Sequence, residues 1–156
     1  IHSSYLMLAL ELELIESSDY NSEGFRLSTF LNSLTNESKS KRGANSLIVI
    51  FHACFLLVTN KFDLAEKRIE YLNVYCTRYL RDRQHTRVRV FIKALQQIPR
   101  YRGDVAGLKS ALIPYLKEIK SAASIPMPGE VNELLPYDVI LEAYVRKLEK
   151  EASARH

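Results

Sequence analysis

The chain is poor in the residues that punctuate turn-rich proteins: it has five glycines and five prolines in 156 residues. Set beside an apolar fraction of 47%, that scarcity argues against disorder and against a β-fold of many tight turns. Long hydrophobic runs are missing as well. The longest, Leu47 to Val58, is interrupted by His52 and falls short of the roughly 18 to 20 apolar residues that span a bilayer. No charged n-region followed by a hydrophobic core marks a secretory leader. These absences predict a cytoplasmic protein with no membrane partner.

Cysteine is scarce too. Cys54 and Cys76 are the only two, too few for a disulfide framework. Both fall in apolar patterns and read as buried thiols of a reducing compartment. His52 and Cys54 lie two apart, so on a helix they face roughly 200° from each other and cannot share a metal. Cys76 and His85 could join them only by tertiary accident, and no CxxC or HxxxH pattern supports zinc. No metal and no cofactor is expected. A Cys–His nucleophilic pair would require a cysteine to leave the core.

Glycine-rich phosphate loops and nucleophile elbows are absent from the sequence. Glu11, Glu13 and Glu16 sit on more than one face of a helix and define no catalytic separation. Arg102-Gly103-Asp104 spells an adhesion tripeptide without a secretion signal and reads as a turn. The chain is therefore expected not to be an enzyme. It opens on Ile1 rather than Met, which fits a segment of a longer protein whose upstream part could carry a catalytic domain. Its length suits one domain, 1–156, with a full core. The net charge of +4 tolerates acidic partners without demanding them.

What is present is helical periodicity. Ser46 to Leu80 reads as a hairpin: a helix apolar almost all round, a turn at Thr59-Asn60-Lys61, then an amphipathic helix. A helix hydrophobic on every side belongs in the middle of a module. In the second helix Ala65, Ile69, Leu72, Cys76 and Tyr79 recur at four, three, four and three, on one face. Asp63 is placed as the N-cap or a first-turn acid.

Ala53, Leu56, Phe62, Ala65, Ile69 and Leu72 stand in the order and spacing that resembles one tetratricopeptide repeat, over about 34 residues. Cys54 replaces the usual glycine of that repeat and Thr77 its closing proline. The wider chain, through YLRDRQHTRVRVFIKALQQIP (79–99) and PYDVILEAYVRKLE (136–149), is similar to tetratricopeptide-like helical proteins of Bacteroidetes. That resemblance implies a fold and no activity.

Around this hairpin the pattern predicts a first helix up to about Ser17. Its Leu8, Leu10, Leu12 and Leu14 alternate like a strand, but their neighbours are strong helix formers. A second helix carries Leu27, Phe30, Leu31 and Leu34 inward. Asn36 to Asn45 reads as a linker. A later helix uses Val88, Phe91, Leu95 and Ile98 and ends at Pro99. The next uses Leu108, Ala111, Leu112, Tyr115, Leu116 and Ile119, with Pro114 predicting a kink or a restart. The last helix, with Leu141, Tyr144 or Val145, and Leu148 inward, caps the stack.

The expectation is an all-α protein: a right-handed array of antiparallel helix hairpins, about seven helices, resembling tetratricopeptide or HEAT repeats. The hairpins fall near 3–35, 46–81 and 86–121, with a terminal helix near 137–152. Its repeat of about 41 to 42 residues exceeds the roughly 34 of a tetratricopeptide repeat and resembles the roughly 40 to 47 of HEAT-type repeats, though spacing alone does not separate the two when linkers vary.

Arg78 to Arg102 is the strongest charged feature: Arg78, Arg81, Arg83, Arg87, Arg89, Lys93, Arg100 and Arg102 against Asp82 alone. The expected role is a non-catalytic protein–protein interaction or structural module. Arg78, Arg81, Arg87 and Arg89 would meet an acidic protein or peptide, and Tyr75 or Tyr79 would act as an aromatic anchor. The alternative is a nucleic-acid-binding helical repeat using segment 78–102, with arginines on phosphates and rings on bases.

Overall fold

A computed structural model describes residues 8, 9, 11–13, 42–122 and 136–155. Its described elements are six α-helices and one 3₁₀ turn, with no strand among the described residues. They are α1 (Arg42–Val58), α2 (Phe62–Tyr79), α3 (Thr86–Leu95), α4 (Gln97–Arg100), α5 (Val105–Ser121) and α6 (Tyr137–Ala154), with Arg83–His85 forming the 3₁₀ turn. The described part of the chain is all-helical. The expected second helix (Leu27, Phe30, Leu31, Leu34) and residues 123–135 lie outside the described residues.

Helix α1 buries Ile50, Phe51, Ala53, Cys54, Leu56, Leu57 and Val58, which spread over most of its circumference. Its turn into α2 is tight. Lys61 donates its backbone N–H to Leu56 at 2.8 Å, and Asn60 adopts φ +60°. That left-handed conformation costs Asn less than most residues. Helix α2 returns along α1, with Ala53 and Ala65 both fully buried. Ile69, Leu72 and Cys76 complete the inner face of α2.

Tyr79 does not belong to that face: it is 54% exposed. Helix α2 ends at Tyr79, and the chain turns so that Leu80 packs against the core in its place.

Four further expectations are corrected. Helix α1 starts at Arg42, inside the stretch read as linker. In the N-terminal segment residues 8, 9 and 11 are helical, but Leu12 and Glu13 form a turn with Glu13 at φ +56°. The first helix is therefore interrupted at Glu13, before Ser17. Helix α3 stops at Leu95 and not at Pro99, because Pro99 has no N–H for the Leu95 carbonyl four residues back and its ring crowds that carbonyl. The short α4 follows, with Pro99 inside it. Helix α5, by contrast, runs unbroken through Pro114. Ser110 and Pro114 are both exposed, so the carbonyl that Pro114 cannot satisfy faces water.

Helix α2 packs on α3, α3 on α5, α5 on α6, and α6 returns to α3. At that last contact the Phe91 and Tyr137 rings stack with centroids 4.3 Å apart. The core is one cluster, with Phe91, Leu95, Leu112, Ile119 and Leu141 at its centre. Burying each such side chain is worth about 1.5–3 kcal/mol. The last helix also reaches the first elements. The Tyr144 hydroxyl lies 3.5 Å from the Leu57 carbonyl, and Lys150 pairs with Glu13.

At the start of α5, Gly103 takes φ +76° and closes the turn predicted for 102–104. Asp104 then caps the helix, accepting from the Gly107 N–H at 2.9 Å. Its carboxylate oxygen lies 2.1 Å from where a Cβ on residue 107 would be, so the missing side chain makes room for the cap.

Candidate interaction surface

The basic segment does not form one cationic face. Arg87, on α3, turns inward with a side chain only 14% exposed. Its guanidinium donates to the Ile119 carbonyl at 2.5 Å and the Ala122 carbonyl at 3.3 Å. These are among the last carbonyls of α5, which have no partner within their own helix. The same group lies 3.5 Å from the Asp138 carboxylate in the first turn of α6. Arg87 thus joins α3, α5 and α6, and the planar fork of arginine suits several acceptors at once.

Arg89 makes a comparable clasp on the α2–α3 connection. It donates to the carbonyls of Leu80 and Asp82, each at 2.6 Å, and to the Thr86 hydroxyl at 3.3 Å. Arg81 donates through Nε to the Thr77 carbonyl at 2.5 Å, near the C-terminal end of α2, where a cation also offsets the helix dipole. Arg102 stacks over the Phe62 ring at 4.6 Å and pairs with Asp63 at 3.1 Å. Asp63 is accordingly a first-turn acid of α2, and Lys61 is the N-cap residue.

Arg78 is different. It is exposed in the last turn of α2, and among the described residues no carboxylate lies within 4 Å of it. Beside it Tyr75 and Tyr79 form a tilted pair with centroids 5.0 Å apart. Of the six residues singled out from the sequence, Tyr75, Arg78 and Tyr79 lie on the last two turns of α2, and Arg81 follows just beyond its end. Arg87 and Arg89 are drawn into the protein's own backbone.

Sequence reasoning overlooked the rest of that surface. The exposed large apolar side chains among the described residues are Leu64 (53%), Tyr71 (52%), Val74 (46%), Tyr79 and, on α5, Ile113. Four of these five are on α2. At about 100° per residue they share one broad side of the helix with Lys67, Arg68, Tyr75 and Arg78. Glu66 and Glu70 fall outside that side. The missed signal was a second apolar repeat, Leu64–Tyr71–Tyr75, about 110° round the helix from the buried one.

The thiols offer no chemistry. Burial pushes Cys54 up to about 12 and Cys76 up to about 11, so neither presents a thiolate near neutral pH. His52 is held below its ordinary value by burial and then by the positive charges of Arg68 and Lys61. Among the described residues no group of three His, Cys, Asp or Glu side chains could hold a metal ion, and no helix is long and apolar enough to cross a membrane.

Compared with family models, curated proteins and solved structures, the chain matches none.

Proposed function

We propose that the chain is a non-catalytic, tetratricopeptide-like helical-repeat module that binds another protein through the outward side of α2. The observation that carries this reading is the concentration of exposed apolar side chains there. Leu64, Tyr71, Val74 and Tyr79 keep about half their surface in water on one helix, where a lone surface helix would normally be polar. The repeat reading is supported by the succession of packed neighbours, each helix meeting the next in chain order, and by Ala53 and Ala65 buried on facing helices.

The partner is an acidic segment with apolar anchors of its own. Lys67, Arg68 and Arg78 lie among the aromatic and aliphatic groups, and Arg81 stands at the end of the helix. Tyrosine and arginine are the residue types most often found at the energetic centre of interfaces. Nucleic acid is less well served, because Arg87, Arg89 and Arg102 are occupied by carbonyls and carboxylates.

The test is fluorescence anisotropy with a labelled acidic amphipathic peptide and, separately, a generic single-stranded RNA. Peptide binding that is lost in a Leu64→Ser/Tyr71→Ser variant of unchanged helicity supports the proposal. RNA binding that falls steeply with salt moves the function to the nucleic-acid alternative. Binding of neither probe removes the proposal.

A further inference from the structure

A separate cavity of about 300 Å³ opens where the α1–α2 turn, the α4–α5 turn and the end of α6 converge. It does not involve the outward side of α2. Ile98, Tyr101, Leu108, Tyr144 and Leu148 make its wall. Its volume is at the lower end for small-molecule sites, and its lining is suited to an aliphatic body rather than a polar one.

The charges around the mouth decide what head group such a body would carry. Arg102 is spoken for: it stacks on Phe62 and pairs with Asp63 at 3.1 Å, with Glu66 at 3.9 Å. Glu151 is matched by Lys147 at 3.8 Å. The N-terminus of α5, which could otherwise attract an anion, is already capped by the Asp104 carboxylate. That leaves Arg155, an exposed cation on the rim with no carboxylate within 4 Å among the described residues. An apolar chamber with a positive charge at its opening that no carboxylate of the described residues pairs complements a molecule with an apolar tail and one negative end.

We propose that this cavity binds a small aliphatic monocarboxylate, its tail among Ile98, Leu108 and Leu148 and its carboxylate at Arg155. An ammonium head on the same tail gains no ion pair from Arg155 and binds more weakly. Each methylene that enters the cavity raises affinity about fourfold, until the chamber is filled. The exposed ion pair at Arg155 contributes up to about fivefold.

The experiment titrates sodium octanoate and, in parallel, n-octylammonium chloride into the full chain, followed by two-dimensional NMR. Octanoate is expected to shift resonances from 98–108 and 144–155 and to bind more tightly than octylammonium. Arg155→Gln should erase that preference. Ala152→Phe, which fills the mouth from a partly exposed helical position, should abolish octanoate binding with the fold retained by circular dichroism. Val105→Phe serves as a second obstruction if the first variant does not fold. Three results overturn the proposal: no saturable octanoate shifts, octylammonium binding equally well, or octanoate binding that survives the obstruction. An apolar side chain of a protein partner as the true occupant would give the first of these.

Discussion

Removing the Arg87 guanidinium is the sharpest test of how this core is held. The side chain sits almost out of water and, among the described residues, serves three acceptors at the ends of two other helices: the carbonyls of Ile119 and Ala122, and the Asp138 carboxylate. A hydrogen bond to a charged group is worth about 1.5–3 kcal/mol net. The Ile119 contact counts in full. The Ala122 contact, at 3.3 Å, and the Asp138 pair, at 3.5 Å and partly open to solvent, each count for a fraction. Arg87→Ala should therefore cost about 3 kcal/mol, lowering Tm by about 6–12 °C for a domain of this size. Urea unfolding followed by circular dichroism would read it directly. Arg78→Ala, which removes an exposed charge with no ion pair among the described residues, should stay within about 0.5 kcal/mol of wild type. Arg87→Lys should fall between, since a point charge cannot bridge all three acceptors. A double-mutant cycle with Asp138→Ala should show coupling of at least about 0.5 kcal/mol. Equal losses for Arg87→Ala and Arg78→Ala, or strict additivity with Asp138→Ala, would refute the clasp.

Other consequences can be checked with the same material. Native protein should give no reaction with a thiol reagent at pH 8, and both thiols should react once urea unfolds the chain, since Cys54 and Cys76 titrate at about 12 and about 11. Reaction of folded protein at the unfolded rate would place a thiol at the surface. His52, whose folded value is lowered, takes up a proton more readily when unfolded. Its contribution is absent above the ordinary value of about 6.5 and becomes destabilising as pH falls below it. The wild type should therefore lose more stability between pH 7.5 and pH 5.5 than His52→Leu, and identical pH profiles would exclude the effect. Phe91→Ala, which empties a fully buried site and breaks the stack with Tyr137, should cost about 3–5 kcal/mol. A loss below about 1 kcal/mol would mean that α3 and α6 are not packed as described.

The helical elements were legible because their signals are local. The spacing of Ala65, Ile69, Leu72 and Cys76 marks a buried face whatever lies against it, and those four residues are the ones α2 buries. Thr59 to Lys61 could be read as a turn for the same reason. The misreadings concern events that depend on distant partners or on neighbours one turn away. Pro99 was visible, but its effect falls on the Leu95 carbonyl, so α3 ends earlier than the proline itself. Glu13 sits in a run of helix formers, and its positive φ follows from no residue preference. Its carboxylate pairs with Lys150 at the far end of the chain, a contact that no periodicity contains.

The arginine cluster illustrates the same limit in the chemistry. Counting charges along 78–102 suggests a cationic surface, yet the charge follows the density of helix ends. Helix α2 terminates within this segment, and the end of α5 folds back against it. Helix C-termini expose carbonyls that an arginine satisfies better than water does once the site is partly buried. Arg81 and Arg89 answer the end of α2 and the loop beyond it, and Arg87 answers the end of α5, 32 and 35 residues downstream. A groove for phosphate needs guanidiniums free and aimed at a common locus, whereas these are aimed at backbone and apart. The same accounting favours the proposed interface on α2. Its apolar groups face water beside Lys67, Arg68 and Arg78, and a partner's acidic residues would find those cations without first taking them from the fold.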